Sequence, residues 1–194
     1  MDQMDLGGGF QDTGREAAIA FRRIMNAMAR PGRIETMEAV SPPGPLSPAA
    51  GAVILTLCDP ETGLHLAPSH ERRAVRDWVT FHTGAPLVDA EVADFVVGDW
   101  PSLDHARLPI GLPEYPDRSA TVIVEMPDIT NDGPRLTGPG IQNEAFLNLP
   151  EVELFVRNRA LFPLGLDFIF TAGSKLSAMP RSTIIGAAQL EETH

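Results

Sequence analysis

Ala120-Thr121-Val122-Ile123-Val124 is the stretch on which the fold turns. It is short, largely β-branched, and apolar at successive positions instead of alternate ones. Asp94-Phe95-Val96-Val97, Leu166-Asp167-Phe168-Ile169-Phe170 and Thr183-Ile184-Ile185 share that character. A strand with one wet face alternates apolar and polar residues, whereas a strand covered on both faces has no reason to. The four runs therefore predict a mixed sheet sandwiched between helices, a three-layer α/β/α arrangement of the α/β class.

Helical segments lie between these runs. Asp12 or Thr13 offers a cap for a helix from Arg15 to Ala29, stopped by Pro31-Gly32. In it Ala17, Ala18, Phe21, Ile24, Met25 and Met28 form an apolar stripe, with Arg15, Arg22, Arg23, Asn26 and Arg30 opposite. Arg33 to Met37 reads as a short strand. Ser47-Pro48 opens a second helix, apolar on nearly every side from Ala49 to Leu57. Further helices are predicted over Glu71 to Phe81, ending at His82-Thr83-Gly84, and over Glu151 to Leu161, with Val152, Phe155, Val156 and Arg159 on one side. Residues 1–14, with Gly7-Gly8-Gly9, read as a flexible arm, and 15–190 as a single α/β domain.

Composition narrows the function classes. The chain has 194 residues, of which 43% are hydrophobic, so it can bury one sizeable core. Its net charge of −11 disfavours nucleic-acid binding, which relies on a basic surface. A local arginine-lined pocket for a small anion stays compatible with that charge. Cys58 is the one cysteine, which leaves no internal disulfide and fits a reducing, cytoplasmic setting. Met1 to Asp5 carry acidic charge with no apolar segment after them, unlike a secretory leader, and no run approaches the ~18 apolar residues of a membrane span.

Chemistry-bearing motifs are sparse. In Thr137-Gly138-Pro139-Gly140-Ile141 the glycines could form an anion nest, although Pro139 removes a donor and no complete phosphate-loop pattern is present. A tight turn after a strand is the favoured reading. Arg181, beside Ser182 and Thr183, either grips a phosphate or carboxylate with its planar fork or serves structurally. His82 is expected to satisfy carbonyls at its helix end, and the histidines show no metal-ligand spacing. Asp59 and Asp167 flank apolar segments and, if buried, each needs a partner such as an arginine. Cys58 reads as inert packing.

Eight segments, in order, resemble one known family. They are Phe21–Gly32, Leu55-Thr56-Leu57-Cys58-Asp59-Pro60-Glu61-Thr62, Phe81–Pro86 followed by Ala93-Asp94-Phe95, Gly111 with Tyr115-Pro116, Ser119-Ala120-Thr121, Gly138–Ile141, Phe162–Asp167 and Pro180-Arg181-Ser182-Thr183. Together they are similar to the PhnH family of the bacterial carbon–phosphorus lyase machinery. The resemblance implies a much reduced form of the type I pyridoxal-phosphate transferase fold and a homodimer. It also implies assembly with PhnG, PhnI and PhnJ type subunits, and a part in forming ribose 1-alkylphosphonate 5-triphosphate from a nucleoside triphosphate and a phosphonate. It transfers no catalytic residues. Pyridoxal phosphate itself is not expected, since the one lysine, Lys175, falls in what reads as a loop. The expectation is a non-autonomous subunit without cofactor or metal. The alternative is a small-anion site of its own, built from Arg181, Gly138 and Gly140, with His82 or Arg30.

Overall fold

A computed structural model describes residues 6–37 and 40–186. The helix α1 (Thr13–Ala29) is capped by Asp12, whose side chain accepts the Arg15 N–H, and β1 (Glu35–Thr36) follows it. Ser47 caps α2 (Pro48–Leu57) by accepting the Ala50 N–H. Then come β2 (Leu64–Leu66), α3 (Arg73–Thr83), β3 (Phe95–Asp99), β4 (Thr121–Glu125), β5 (Arg135–Thr137) and β6 (Ala145–Phe146). The chain ends in α4 (Val152–Ala160), β7 (Asp167–Ala172), β8 (Lys175–Met179) and β9 (Ile184–Ile185).

Six strands form a mixed sheet in the order β1-β8-β7-β4-β3-β2. Strands β2, β3, β4 and β7 run parallel, with Val96 beside Val122 and Val122 beside Phe168; β8 is antiparallel to β7, and β1 to β8. Val97, Ile123 and Ile169 point into a core with Ile24 of α1, Ile54 of α2 and Trp78 of α3. Their neighbours Val96, Val122, Val124, Phe168 and Phe170 face a second core with Phe155 of α4, Leu136 and Leu147. Two occupied faces explain why the central strands are apolar at consecutive positions. Among the described residues no helix is long and apolar enough to cross a membrane.

The structure departs from the sequence expectations in several places. The buried stripe of α1 is Ala20, Ile24 and Ala27, while Phe21 and Met25 are about half exposed at 50% and 49%. Small residues occupy the inward positions because α1 packs on α2, whose own buried side is Ala49, Ala50, Gly51 and Ala52. In α4 the inward pair is Phe155 and Asn158, and Val156 lies outside at 48% exposure. Asn158 brackets Leu166, accepting its N–H at 2.7 Å and donating to its carbonyl at 2.9 Å. Ile184-Ile185 leaves the main sheet and joins a three-stranded one, β6-β5-β9, because Pro180 and the turn after it redirect the chain. Lys175 is not in a loop but opens β8, paired with Ala172. Lys-Leu-Ser-Ala-Met contains no β-branched residue, so its strand character comes from its pairing with β7. The glycine arm is anchored from residue 6 onward: the Trp78 indole donates to the Gly7 carbonyl at 2.9 Å, and Ser41 N–H to that of Gly8 at 2.8 Å. Residues 1–5 of that arm, and 187–190 at the far end of the expected domain, lie outside the described residues.

Candidate functional site

Four polar side chains, two of them buried and two partly buried, gather at the carboxyl ends of the parallel strands. This end of a parallel sheet is the usual ligand edge, because the strands stop there and the connecting loops diverge. Glu125 closes β4, Asp99 closes β3, Thr171 sits near the end of β7, and His70 follows β2 through a turn closed by its own N–H on the Ala67 carbonyl. Gly98 lets the β3 end approach closely, since a Cβ there would meet Ala67 Cβ at 2.5 Å.

Glu125 is fixed from two sides. One oxygen accepts the Ser47 N–H at 2.6 Å and the other the Thr171 hydroxyl at 3.0 Å. Ser47 is the cap of α2, so a carboxylate of the chain itself already occupies the positive end of that helix. His70 Nε2 stands 3.9 Å from Glu125 Oε1 with no hydrogen bond of good geometry, although the His70 side chain is only 3% exposed. Its Nδ1 lies 2.8 Å from Ser69 Oγ, which is 2.7 Å from Ser102 Oγ and accepts the Asp99 N–H at 3.1 Å. With Glu125 ionised, the balanced arrangement has Ser69 donating to Nδ1 and the Nε2–H directed at the carboxylate.

Burial pushes the two titrating groups in opposite directions. Desolvation raises the Glu125 carboxyl above the ordinary carboxylate range, opposed by the hydrogen bonds from Ser47 and Thr171. Desolvation lowers the His70 imidazole, opposed by Asp99 and the Pro45 carbonyl. Asp99 is held low, chiefly by its hydrogen bonds with Ser102. Glu125, Asp99, Ser47 and Trp100 line a cavity of about 710 Å³ together with four prolines, Pro45, Pro101, Pro127 and Pro150. Its volume lies in the range of small-molecule sites. The site can accept hydrogen bonds at the Asp99 and Glu125 carboxylates. Ser47 is the one hydroxyl-bearing residue that lines the cavity, and its hydroxyl accepts the Ala50 N–H at 3.1 Å.

The residues singled out in the sequence occupy other positions. The three guanidinium nitrogens of Arg181 are committed: Nε and Nη2 to Asp167, Nη1 to the Pro116 carbonyl at 2.8 Å and Nη2 also to the Ser119 hydroxyl. Asp167 thereby has its arginine partner, whereas Asp59 is exposed in a turn and needs none. Gly140 and Arg30 do share a shallow cavity of about 410 Å³, where a Cβ on Gly140 would lie 1.9 Å from the Ala29 carbonyl oxygen. Neither Arg181 nor His82 lines that cavity. Gly138, at φ +118°, makes the tight turn after β5. The His82 ring serves the Leu6 carbonyl of the arm, 2.8 Å from Nε2, and not the carbonyls of its own helix end. No group of three metal-ligating side chains occurs among the described residues.

His70, Glu125 and Asp99 were missed by sequence reading, although a usable signal exists. Asp99 ends Phe-Val-Val-Gly, Glu125 ends Thr-Val-Ile-Val, and both are polar residues closing apolar strands.

The residues do not fit pyridoxal phosphate. Lys175 donates to Asp128 at 2.7 Å, is 45% exposed and does not line the cavity. No cationic side chain among the described residues lines it to hold a phosphate.

Residues 8–186 match a family described as bacterial phosphonate metabolism protein (PhnH). The chain is 40% identical over 188 residues to the alpha-D-ribose 1-methylphosphonate 5-triphosphate synthase subunit PhnH of Rhizobium meliloti (strain 1021), covering 91% of this chain and 93% of that protein. It is 32% identical over 181 residues to a putative C-P lyase subunit protein, HtxG, of Stutzerimonas stutzeri, covering 86% and 84%. With a family match across nearly its whole length and a close relative of matching extent, the chain belongs to the PhnH family of bacterial phosphonate metabolism proteins.

Proposed function

We propose that this chain is a subunit of the carbon–phosphorus lyase machinery, contributing to formation of ribose 1-alkylphosphonate 5-triphosphate from a nucleoside triphosphate and an alkylphosphonate. The observation that carries this reading is the 40% identity, across more than nine-tenths of both chains, with a relative named as a synthase subunit. The chain works as a homodimer in the cytoplasm with PhnG, PhnI and PhnJ type subunits. Its body is a three-layer α/β/α unit, a reduced relative of the type I pyridoxal-phosphate transferase fold without that cofactor.

Co-expression with the three partner subunits and affinity capture through this chain tests the reading. All four proteins are expected in one complex that makes the ribose phosphonate product, with none made when this chain is left out. An isolated chain that turned over nucleotide and phosphonate unaided would overturn it.

A further inference from the structure

Helix α1 is covered on one side only. Its inward residues Ala20, Ile24 and Ala27 pack toward α2 and β8, whereas Ala18, Phe21, Arg22, Met25 and Ala29 are exposed. With about 3.6 residues per turn, Ala18, Met25 and Ala29 form one outward ridge with Phe21 on its flank, and Arg22 and Arg15 line the other flank. The outward face thus has an apolar lane beside a cationic one. Phe21 and Met25, four positions apart and 50% and 49% exposed, stand together in solvent.

The charges on this face are arranged unlike those elsewhere. Arg33, Arg76, Arg107, Arg135 and Arg157 each pair with a carboxylate of the chain. Arg15 and Arg22 pair with none among the described residues, although the chain carries a net charge of −11. The nearby carboxylates of Asp12 and Glu16 are turned to the Arg15 and Gln11 N–H groups. Cations left without partners on an acidic chain, beside an exposed Phe and Met, form a surface whose complement is apolar and acidic.

We propose that the outward face of α1 docks an amphipathic helix of another protein, which sets carboxylates against Arg15 and Arg22. These arginines are seven positions apart on the helix, about 10 Å along its axis, so the partner repeats its acidic residues at a seven-residue interval beside an apolar stripe. Ala18 and Ala29 let the two backbones approach, and Phe21 and Met25 are the anchors. A second copy of the chain is no complement, because its own ridge brings the same arginines and no exposed carboxylate. An anionic bilayer would attract the arginines but repel the acidic chain as a whole. The assignment rests on this face and not on the subunit reading.

The test is fluorescence anisotropy of the full-length chain with two labelled three-heptad peptides. Both carry leucine at the a and d positions; one has glutamate at every e and g position and the other lysine, so that like charges keep each from pairing with itself. The glutamate peptide is expected to bind, more weakly as salt rises, and the lysine peptide is not. Arg22→Glu is expected to weaken the glutamate peptide about tenfold and to admit the lysine peptide, an exchange that a merely structural role for Arg22 would not give. Phe21→Ser and Met25→Ser are each expected to weaken the glutamate peptide about tenfold, with circular dichroism checking that the fold is intact. Binding of neither peptide, equal binding of both, or an unchanged preference in Arg22→Glu would overturn the proposal. So would self-association abolished by Met25→Ser, which gives the face to a second copy, or binding to phosphatidylserine vesicles lost in Phe21→Ser, which gives it to a membrane. A chain that discriminates the peptides yet fails to assemble with the partner subunits would sink the subunit reading and leave this surface standing.

Discussion

Arg181 and Asp167 form a two-point ion pair across the amino end of β7, with Nη2 to Oδ2 at 2.5 Å and Nε to Oδ1 at 3.2 Å, their side chains only 13% and 19% exposed. The same guanidinium holds the Pro116 carbonyl and the Ser119 hydroxyl, and so ties the loop before β4 to the end of the sheet. A planar fork with five donors suits this task, and a lysine ammonium does not.

Removing Arg181 strands a largely buried carboxylate and two further acceptors. Arg181→Ala is expected to cost about 3 kcal/mol in denaturant unfolding. Arg181→Lys should recover only part of that loss. In Asp167→Asn/Arg181→Ala the combined cost should be well below the sum of the single costs, because the second change removes the stranded charge. Additive costs would show that the pair contributes little. Phosphate should not raise the melting temperature through Arg181, whose donors are all in use.

This arginine marks where sequence reading stops. Periodicity and punctuation located α1, α2, α3, α4 and the central strands, because caps such as Asp12 and Ser47 and apolar runs such as Val122-Ile123-Val124 act locally. A guanidinium next to hydroxyls looks alike in sequence whether it grips a ligand or its own chain. The deciding partner, Asp167, is fourteen positions away and reached only through the β7–β8 hairpin. The strand-end site was obscured for the same reason: Glu125 meets Ser47 across 78 positions and Thr171 across 46.

His70 and Glu125 should give stability slopes of opposite sign. His70 has its folded pKa below the ordinary 6.5, so the unfolded chain binds the proton more readily, and its contribution is lost as pH falls below about 6.5. Glu125 has its folded pKa above the ordinary 4.5, so the native state binds the extra proton and stability falls as pH rises above about 4.5 toward that raised value. Urea unfolding from pH 4 to 8 checks both. His70→Gln should remove the loss on the acid side.

Glu125→Gln should be better tolerated at neutral than at acid pH. The amide can keep both neighbours, its oxygen accepting the Ser47 N–H and its nitrogen donating to the Thr171 hydroxyl. Relative to wild type, the variant should gain stability as pH rises from 4 to 7, since it never carries the buried charge. A difference that stays flat with pH would show that Glu125 titrates normally in the folded chain.

Glycines in the left-handed region should separate into two classes. Gly140, at φ +82°, has the Ala29 carbonyl oxygen 1.9 Å from where a Cβ would stand, whereas Gly173, at φ +56°, faces open space. Gly140→Ala should therefore cost about 3 kcal/mol or more, combining backbone strain with a clash against the end of α1. Gly173→Ala should cost about 1 kcal/mol, and Gly173→Asn less, because asparagine tolerates this conformation. Equal costs would mean that the turn at Gly140 can move away from α1.

Cys58 should be silent in the folded protein. It is buried at the end of α2, and desolvation with help from Asp59 and Asp94 pushes its thiol up to about 12. The thiolate is the reactive form, so at pH 8 almost none is present in the native state. A thiol reagent such as Ellman's reagent should label the chain only as fast as it opens, and the rate should rise with urea in step with unfolding. Rapid labelling of native protein at pH 8 would contradict the packing around α2.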